Sequence, residues 1–430
     1  MKYLILSLVI VLGVGLFFVF SRTTNFEVVP SQNATSTNST STDNILALSS
    51  TTKATSTDPI KTTNGTGDIE NQKPLSNPPS EIKAVYVTSW VAGGTEKLNE
   101  IINLVKTTEL NAVVIDIKDY SGYITYDIQN SDVIKYNAKE IRTPRINSLI
   151  KKLHDNNIYV VARLTVFQDP LFAKARPDLA VQSKSTGTTW KDNKGLAWMD
   201  PASKEVWDYD IAIAKDAFSR GFDEVNFDYI RFPSDGKMSD MSFPVYDGGN
   251  TKSGVLRGFF KYLREQTLGN KISADLFGLS TINADDLGIG QVIETAYQYF
   301  DFVCPMVYPS HYATGFLGYK SPAFYPYEVV KYSMDNALKR LKLCASHFNS
   351  TSTNATTTTT SSTVSSIYPK CFVQPIAKLR PWLQDFDLGA DYTADMVRKQ
   401  IQAVYDAGLS DGWILWDPRN VYTKGALLPN

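Results

Sequence analysis

The sequence predicts a (β/α)8 TIM barrel preceded by an N-terminal transmembrane helix and a disordered linker. Three observations carry that expectation. From about residue 82, eight short runs rich in Val, Ile, Tyr and Phe alternate with longer amphipathic stretches, which is the pattern of parallel strands joined by helices. The runs are near-continuously apolar, as strands covered on both faces must be. An open doubly wound sheet would want a Gly-rich first turn, and after the first run stands VAGGTEKL, with no G-x-G-x-x-G.

In chain order, residues 3–20 form an uncharged apolar stretch of 18, just long enough to cross a hydrocarbon core as a helix. No small-residue cleavage site follows; Ser21, Arg22, Thr23 and Thr24 come next. A signal anchor over 1–22 is favoured over a cleaved signal peptide. Either way the remainder is exported, and Lys2 and Arg22 on the two sides give little orientation signal. Residues 23–80 are dominated by Ser, Thr, Asn, Pro and Gly and read as a disordered tether, because such a segment buries too little apolar surface to offset its ordering entropy.

The folded domain spans 82–430. Strands are expected at 84–90, 112–119, 159–167, 224–232, 272–278, 302–309, 379–386 and 411–418. Helical patterns lie between them, at about 96–108, 144–155, 203–219, 253–267, 285–299, 325–344 and 393–407. In the last, Met396, Ile401 and Val404 share a face and Gly408 stands where a left-handed cap ends a helix. The domain exceeds the usual barrel length of about 250 residues, with the excess in loops after strands 3 and 4 and in a Ser/Thr tract at 349–366. Cys344 and Cys371 flank that tract. In an exported protein they would close a disulfide at its base and leave Cys304 unpaired; two unrelated thiols are the alternative. Asn33, Asn38, Asn64, Asn349 and Asn354 stand in N-x-S/T triplets, glycan acceptors only in a host with that machinery.

Composition excludes several classes. In 430 residues, 43 Lys and Arg face 44 Asp and Glu, and no basic stripe exists, so nucleic acid is not an expected partner. Three His and three Cys argue against a His-rich metal site or a multi-Cys zinc module. His154, His311 and His347 are too scattered for a zinc triad, and His154 reads as solvent-facing. No G-x-S-x-G elbow or H-E-x-x-H motif occurs. Nothing requires a cofactor, and no specific protein partner is expected.

In this barrel the chemistry sits at the C-terminal ends of the strands. Those ends supply Ser89 and Trp90; Asp116, Lys118 and Asp119; Arg163 and Gln168; Asp228, Tyr229 and Arg231; Asp275; Met306, Tyr308 and His311; Gln384 and Asp385; and Trp416 and Asp417. Alternation along EVNFDYIRF puts Val225, Phe227 and Tyr229 on one face, under the helices, and Asn226 and Asp228 on the other, inside the barrel. An inward carboxylate costs several kcal/mol unless paired or used, and an ion pair with Arg163 or Lys118 is the structural alternative for Asp228. Asp275 lies on the adjacent strand. Two such carboxylates can flank a glycosidic bond, one ionised as nucleophile or base, the other kept protonated as acid. A separation of about 5 Å implies retention and about 6.5–9.5 Å inversion. Asp116, Asp385 and Asp417 are rival acids, although Asp417 before Pro418 equally suits an Asx turn. Trp90, Tyr308 and Trp416 are candidate sugar platforms or, equally, barrel filling. Arg163, Arg231, Asp116, Lys118, His311, Gln384 and Asp417 complete the expected substrate-binding set.

The run GFDEVNFDYIRFPSDG at 221–236 resembles an uncharacterised bacterial family of putative glycosyl hydrolase domains, a domain of unknown function with a predicted TIM barrel. ELNAVVIDIKDYSGYITYD (109–127), WMDPASKEVWDYDIAIAKDA (198–217), DLFGLST (275–281), CPMVYPSHY (304–312), RPWLQDF (380–386) and GWILWDPRNVYT (412–423) agree in order. The resemblance implies a glycosidase-like barrel. The same strand looks like strand 4 of alpha-amylase-type enzymes, which implies a nucleophile at Asp228. Such enzymes have an Arg two residues earlier and a Glu on strand 5; here Asn226 and Asp275 stand there. The expectation is a membrane-anchored, extracytoplasmic glycoside hydrolase acting on a cell-envelope or extracellular polysaccharide or its oligosaccharides, with Asp228 and Asp275 catalytic. The alternatives are a non-catalytic carbohydrate-binding barrel and a structural envelope protein.

Overall fold

The computed structural model describes residues 67–352 and 371–430. The expected anchor at 3–20, most of the tether and residues 353–370 of the Ser/Thr tract lie outside them. Among the described residues no helix is long and apolar enough to cross a membrane.

Eight parallel strands close into a barrel. They are β1 (Ile82–Val87), β2 (Ala112–Lys118), β3 (Tyr159–Thr165), β4 (Glu224–Asp228), β5 (Lys271–Phe277), β6 (Phe302–Met306), β7 and β8 (Gly412–Trp416). The seventh is broken at Pro381 into Lys378–Leu379 and Trp382–Gln384, since proline has no N–H for the ladder. Its first piece pairs with β6 and its second with β8, and Trp382 opposite Met306 completes the ring. Gly412 lets β8 approach β1, because a Cβ there would lie 1.8 Å from Ile82 O.

Alternation divides the side chains cleanly. Val85, Val113, Val160, Val225, Ala274 and Val303 join the core between strands and helices. Ala84, Tyr86, Val114, Val161, Cys304, Trp382 and Ile414 fill the barrel interior, as parallel strands buried on both faces require.

The crossover helices are α1 (Glu96–Lys106), α2 (Ile146–His154), α3 (Lys204–Arg220), α4 (Lys252–Gln266), α5 (Ile293–Tyr297), α6 (Pro326–Ser352) and α7 (Ala394–Asp406). The fifth is far shorter than the expected 285–299, because Leu287, Gly288 and Gly290 adopt positive φ and end helical winding before it starts. The sixth runs into the first residues of the Ser/Thr tract. The loops after β3 and β4 meet in a short antiparallel pair, Gln182–Ser183 with Met241–Ser242.

The end of the expected tether is part of the domain. Asp68 accepts from Asn147 N at 2.7 Å and Ser148 N at 3.1 Å, supplying from outside the cap that the start of α2 lacks. Leu75 packs against the interior cluster, and its N–H donates to Asp223 at 2.6 Å. Asn147 Nδ2 also donates to Ile69 O at 2.8 Å, and Gln72 N to Arg220 O at 3.0 Å; composition hid this, because most of these contacts are made by backbone atoms and a few short side chains. His154 is not simply solvent-facing either, since its Nε2 lies 3.0 Å from Asp223 Oδ2.

Candidate active site

At the C-terminal end of the interior, carboxyls from three strands surround one guanidinium. Arg163, on β3, donates Nη1 to Asp116 Oδ1 on β2 at 2.6 Å and Nη2 to Asp228 Oδ2 on β4. Its Nε lies 3.7 Å from Asp275 Oδ2 on β5. Burial opposes the charge on Arg163, but Asp228 and Asp116 outweigh it and hold the group cationic. Its carbon centre lies 5.2 Å from the ring of Trp416 and 5.8 Å from that of Tyr86, and those rings stack at 3.9 Å.

The three carboxyls differ in environment. Asp228 also accepts from Tyr229 N at 2.6 Å, a contact made where Tyr229 turns the chain at φ 54°. Asp116 accepts from Tyr86 Oη at 2.5 Å; burial raises its pKa, with Arg163 and Tyr86 pulling the other way. Asp275 is the most deeply buried of the three, at 1% exposed. Its Oδ1 accepts from Trp382 Nε1 at 2.6 Å and Asn226 Nδ2 at 2.8 Å, while its Oδ2 has no hydrogen-bond partner. Burial and then the negative charge of Asp228 push its pKa up to about 8. One acid is thus clamped by a cation and a neighbour is kept protonated at neutral pH, the division that general acid chemistry at a glycosidic bond needs.

Around this centre, Tyr308 is buried and feels both Asp275 and Asp228. Its ring meets His311 at 5.1 Å and Phe386 at 5.6 Å, and His311 itself is exposed. Arg231 lies on the loop after β4, its carbon centre 4.6 Å from the ring of Trp198 and 4.7 Å from that of Phe277. Trp90, on a one-turn helix after β1, is 63% exposed, with the guanidinium of Arg142 4.8 Å from its ring.

Other expected residues go elsewhere. Lys118 does not reach the mouth. A β-bulge between Asp116 and Lys118 shifts the register, and one extra residue sends the next side chain to the opposite face. Lys118 therefore sits under α3, 2.7 Å from Asp169 and from Asp210. Gln384 is occupied within the fold, its Oε1 accepting from Ser310 N at 3.2 Å and its Nε2 donating to Phe386 O at 2.9 Å. Asp417 accepts from Arg419 N at 2.6 Å, the Asx turn that the following proline suggested. Asp385 binds Thr423 through N at 2.9 Å and Oγ1 at 2.6 Å, and burial raises its pKa to about 7. Cys344 and Cys371 are joined, with Cα atoms 5.7 Å apart, and Cys304 is free and buried.

Tyr86 and Trp382, which orient the acids, were not singled out by sequence. Both lie inside strand runs, and the two-residue alternation from Ala84 and toward Gln384 was the signal available. Among the described residues, no group of three or more His, Cys, Asp or Glu is placed to hold a metal ion.

A hypothetical protein of known crystal structure from Ruminiclostridium thermocellum is 40% identical, the match covering 48% of this chain and 98% of that one at a TM-score of 0.42. The glycoside hydrolase domain of PgaB (BpsB) from Bordetella bronchiseptica matches over 79% of this chain and 95% of its own, with 14% identity and a TM-score of 0.53, and so shares the fold. An alpha-galactosidase from Thermus thermophilus matches over 82% of this chain and 60% of its own, with 12% identity and a TM-score of 0.45. A comparison with curated proteins finds no match. Residues 84–349 and 345–422 match one family, "Putative glycosyl hydrolase domain", and with most of the barrel so covered, the chain belongs to it.

Proposed function

We propose that this protein is a glycoside hydrolase acting on a cell-envelope or extracellular polysaccharide, exported and held at the membrane by residues 3–20. The observation that carries the reading is the unequal pair of acids on β4 and β5: Asp228 clamped by Arg163, and Asp275 with its pKa pushed up to about 8. Asp275 donates a proton to the leaving-group oxygen. Asp228 acts on the anomeric carbon, directly or through a water. Arg163 positions Asp228, and the half-buried Trp416, stacked on the buried Tyr86, offers an apolar face to a sugar ring.

The test incubates the full chain with a panel of envelope and plant polysaccharides and measures released reducing ends for wild type and Asp228→Asn. Cleavage by wild type, reduced at least ~10²-fold in the variant, supports the reading; an unchanged rate removes Asp228 from the mechanism. The engagement of Arg163 by both Asp116 and Asp228 favours a second reading, a non-catalytic carbohydrate-binding barrel. Glycan retention without cleavage would select it.

A further inference from the structure

Four arginines are buried among the described residues: Arg163, Arg231, Arg340 and Arg380. Three have a carboxylate in contact. Arg163 has Asp116 and Asp228, Arg340 has Glu294, and Arg380 has Glu224. Arg231, 7% exposed, makes one hydrogen bond, from Nη1 to Phe232 O at 3.1 Å, and has no carboxylate at ion-pair distance among the described residues. Burial lowers its pKa, the uncompensated cost of a desolvated cation.

The acids nearest to it are already committed. Asp228 is held by Arg163 and Tyr229 N. Asp192 accepts from Gln168 and Trp198 on one oxygen, and from the N–H groups of Lys194 and Leu196 on the other. Asp235 has its pKa raised by burial and by Asp192, which makes it a poor counter-ion. Arg231 nevertheless stands three residues beyond Asp228, against Phe277 at the end of β5. A planar guanidinium held against aromatic faces, with donors to spare, is preorganised for a bidentate carboxylate.

We propose that Arg231 is the subsite for the carboxylate of an acidic sugar, so that the polysaccharide this barrel takes carries uronic-acid units. The subsite rests on the reading of the barrel as a carbohydrate site, but not on catalysis. A carboxylate there supplies the counter-charge that the fold withholds, and a neutral sugar leaves the cation unpaired.

Calorimetric titration of the full chain with D-glucuronate, D-glucose and inorganic phosphate at fixed ionic strength tests this. Glucuronate is expected to bind about tenfold or more tightly than glucose, as a charge-assisted hydrogen-bonded pair allows, and more tightly than phosphate. Arg231→Gln should remove that preference, and Arg231→Lys, which keeps the charge without the fork, should restore part of it; thermal melts of both show whether they fold. Equal binding of glucuronate and glucose by wild type overturns the proposal, as does a preference that survives in folded Arg231→Gln. Phosphate binding as tightly as glucuronate replaces the sugar carboxylate with a general anion site. Asp228→Asn separates the two readings: a glucuronate preference without cleavage in wild type sinks hydrolysis alone, and Asp228-dependent cleavage without the preference sinks the subsite alone.

Discussion

Trp382 donates its indole N–H to Asp275 Oδ1 at 2.6 Å, so β7 reaches past β6 to fix the carboxyl contributed by β5. That bond favours the ionised form, and burial overrides it. Trp382→Phe should therefore raise the Asp275 pKa further. The alkaline limb of the pH–rate profile is expected to move up by about one unit, a change of ~1.4 kcal/mol. An unmoved limb would separate Asp275 from proton donation.

Asp275 also sets a stability slope. Its folded pKa of about 8 lies far above the unfolded value of about 3.9. Between those values the folded state holds a proton that the unfolded state has released, so stability falls as pH rises, by about 1.4 kcal/mol per pH unit. Asp275→Asn removes the titration. Urea unfolding should show the variant more stable than wild type at pH 7, with the difference vanishing near pH 4, while cleavage is lost. A variant no more stable at pH 7 would contradict the raised pKa.

Among the described residues, Lys118 is the one cation shared by the buried acids Asp169 and Asp210. Lys118→Met should cost about 3–5 kcal/mol at neutral pH, the cost of breaking a buried pair. Burial already puts Asp210 at about 7 against the attraction of Lys118, and losing the lysine raises it again. The loss should therefore shrink as pH falls and Asp210 takes up its proton. Denaturant titrations at pH 4 and 7 read the difference. Because Lys118 lies outside the barrel interior, activity per folded molecule should be unchanged.

The bond between Cys344 and Cys371 closes a loop with a sequence separation of 27. The chain-entropy relation gives about 3–4 kcal/mol for a loop of that length. Changing both cysteines to Ser should lower unfolding free energy by that amount without altering activity at 25 °C. Equal stability with and without the bond would mean that it constrains nothing in the unfolded chain.

The order of strands was legible because each run is apolar on both faces, and the inward set on β4 followed from a period of two. The acids at the mouth were legible for the same reason: Asp116, Asp228 and Asp275 all stand on inward positions of neighbouring strands, with Arg163 between them. Lys118 failed that rule because a bulge leaves no mark in composition; Ile117 and Lys118 read as ordinary strand residues. Gln384 and Asp417 failed for another reason. A polar residue at a strand end serves a loop's backbone as readily as a substrate, and only the positions of Ser310, Phe386 and Arg419 decide which. The anchoring of residues 68–75 depends on α2 and Asp223, partners that are distant in sequence.

The extra residue in β2 acts as a frame shift for side chains. Before it, even-numbered positions look inward; after it, Lys118 looks outward. If Ile117 instead paired with Leu164 in unbroken register, Lys118 would swing in beside Arg163 as a second cation, where it would compete for Asp116 and Asp228, and Asp169 and Asp210 would lose theirs. A single backbone irregularity thus sorts two positive charges into two compartments, and the pairing of all these acids depends on that sorting.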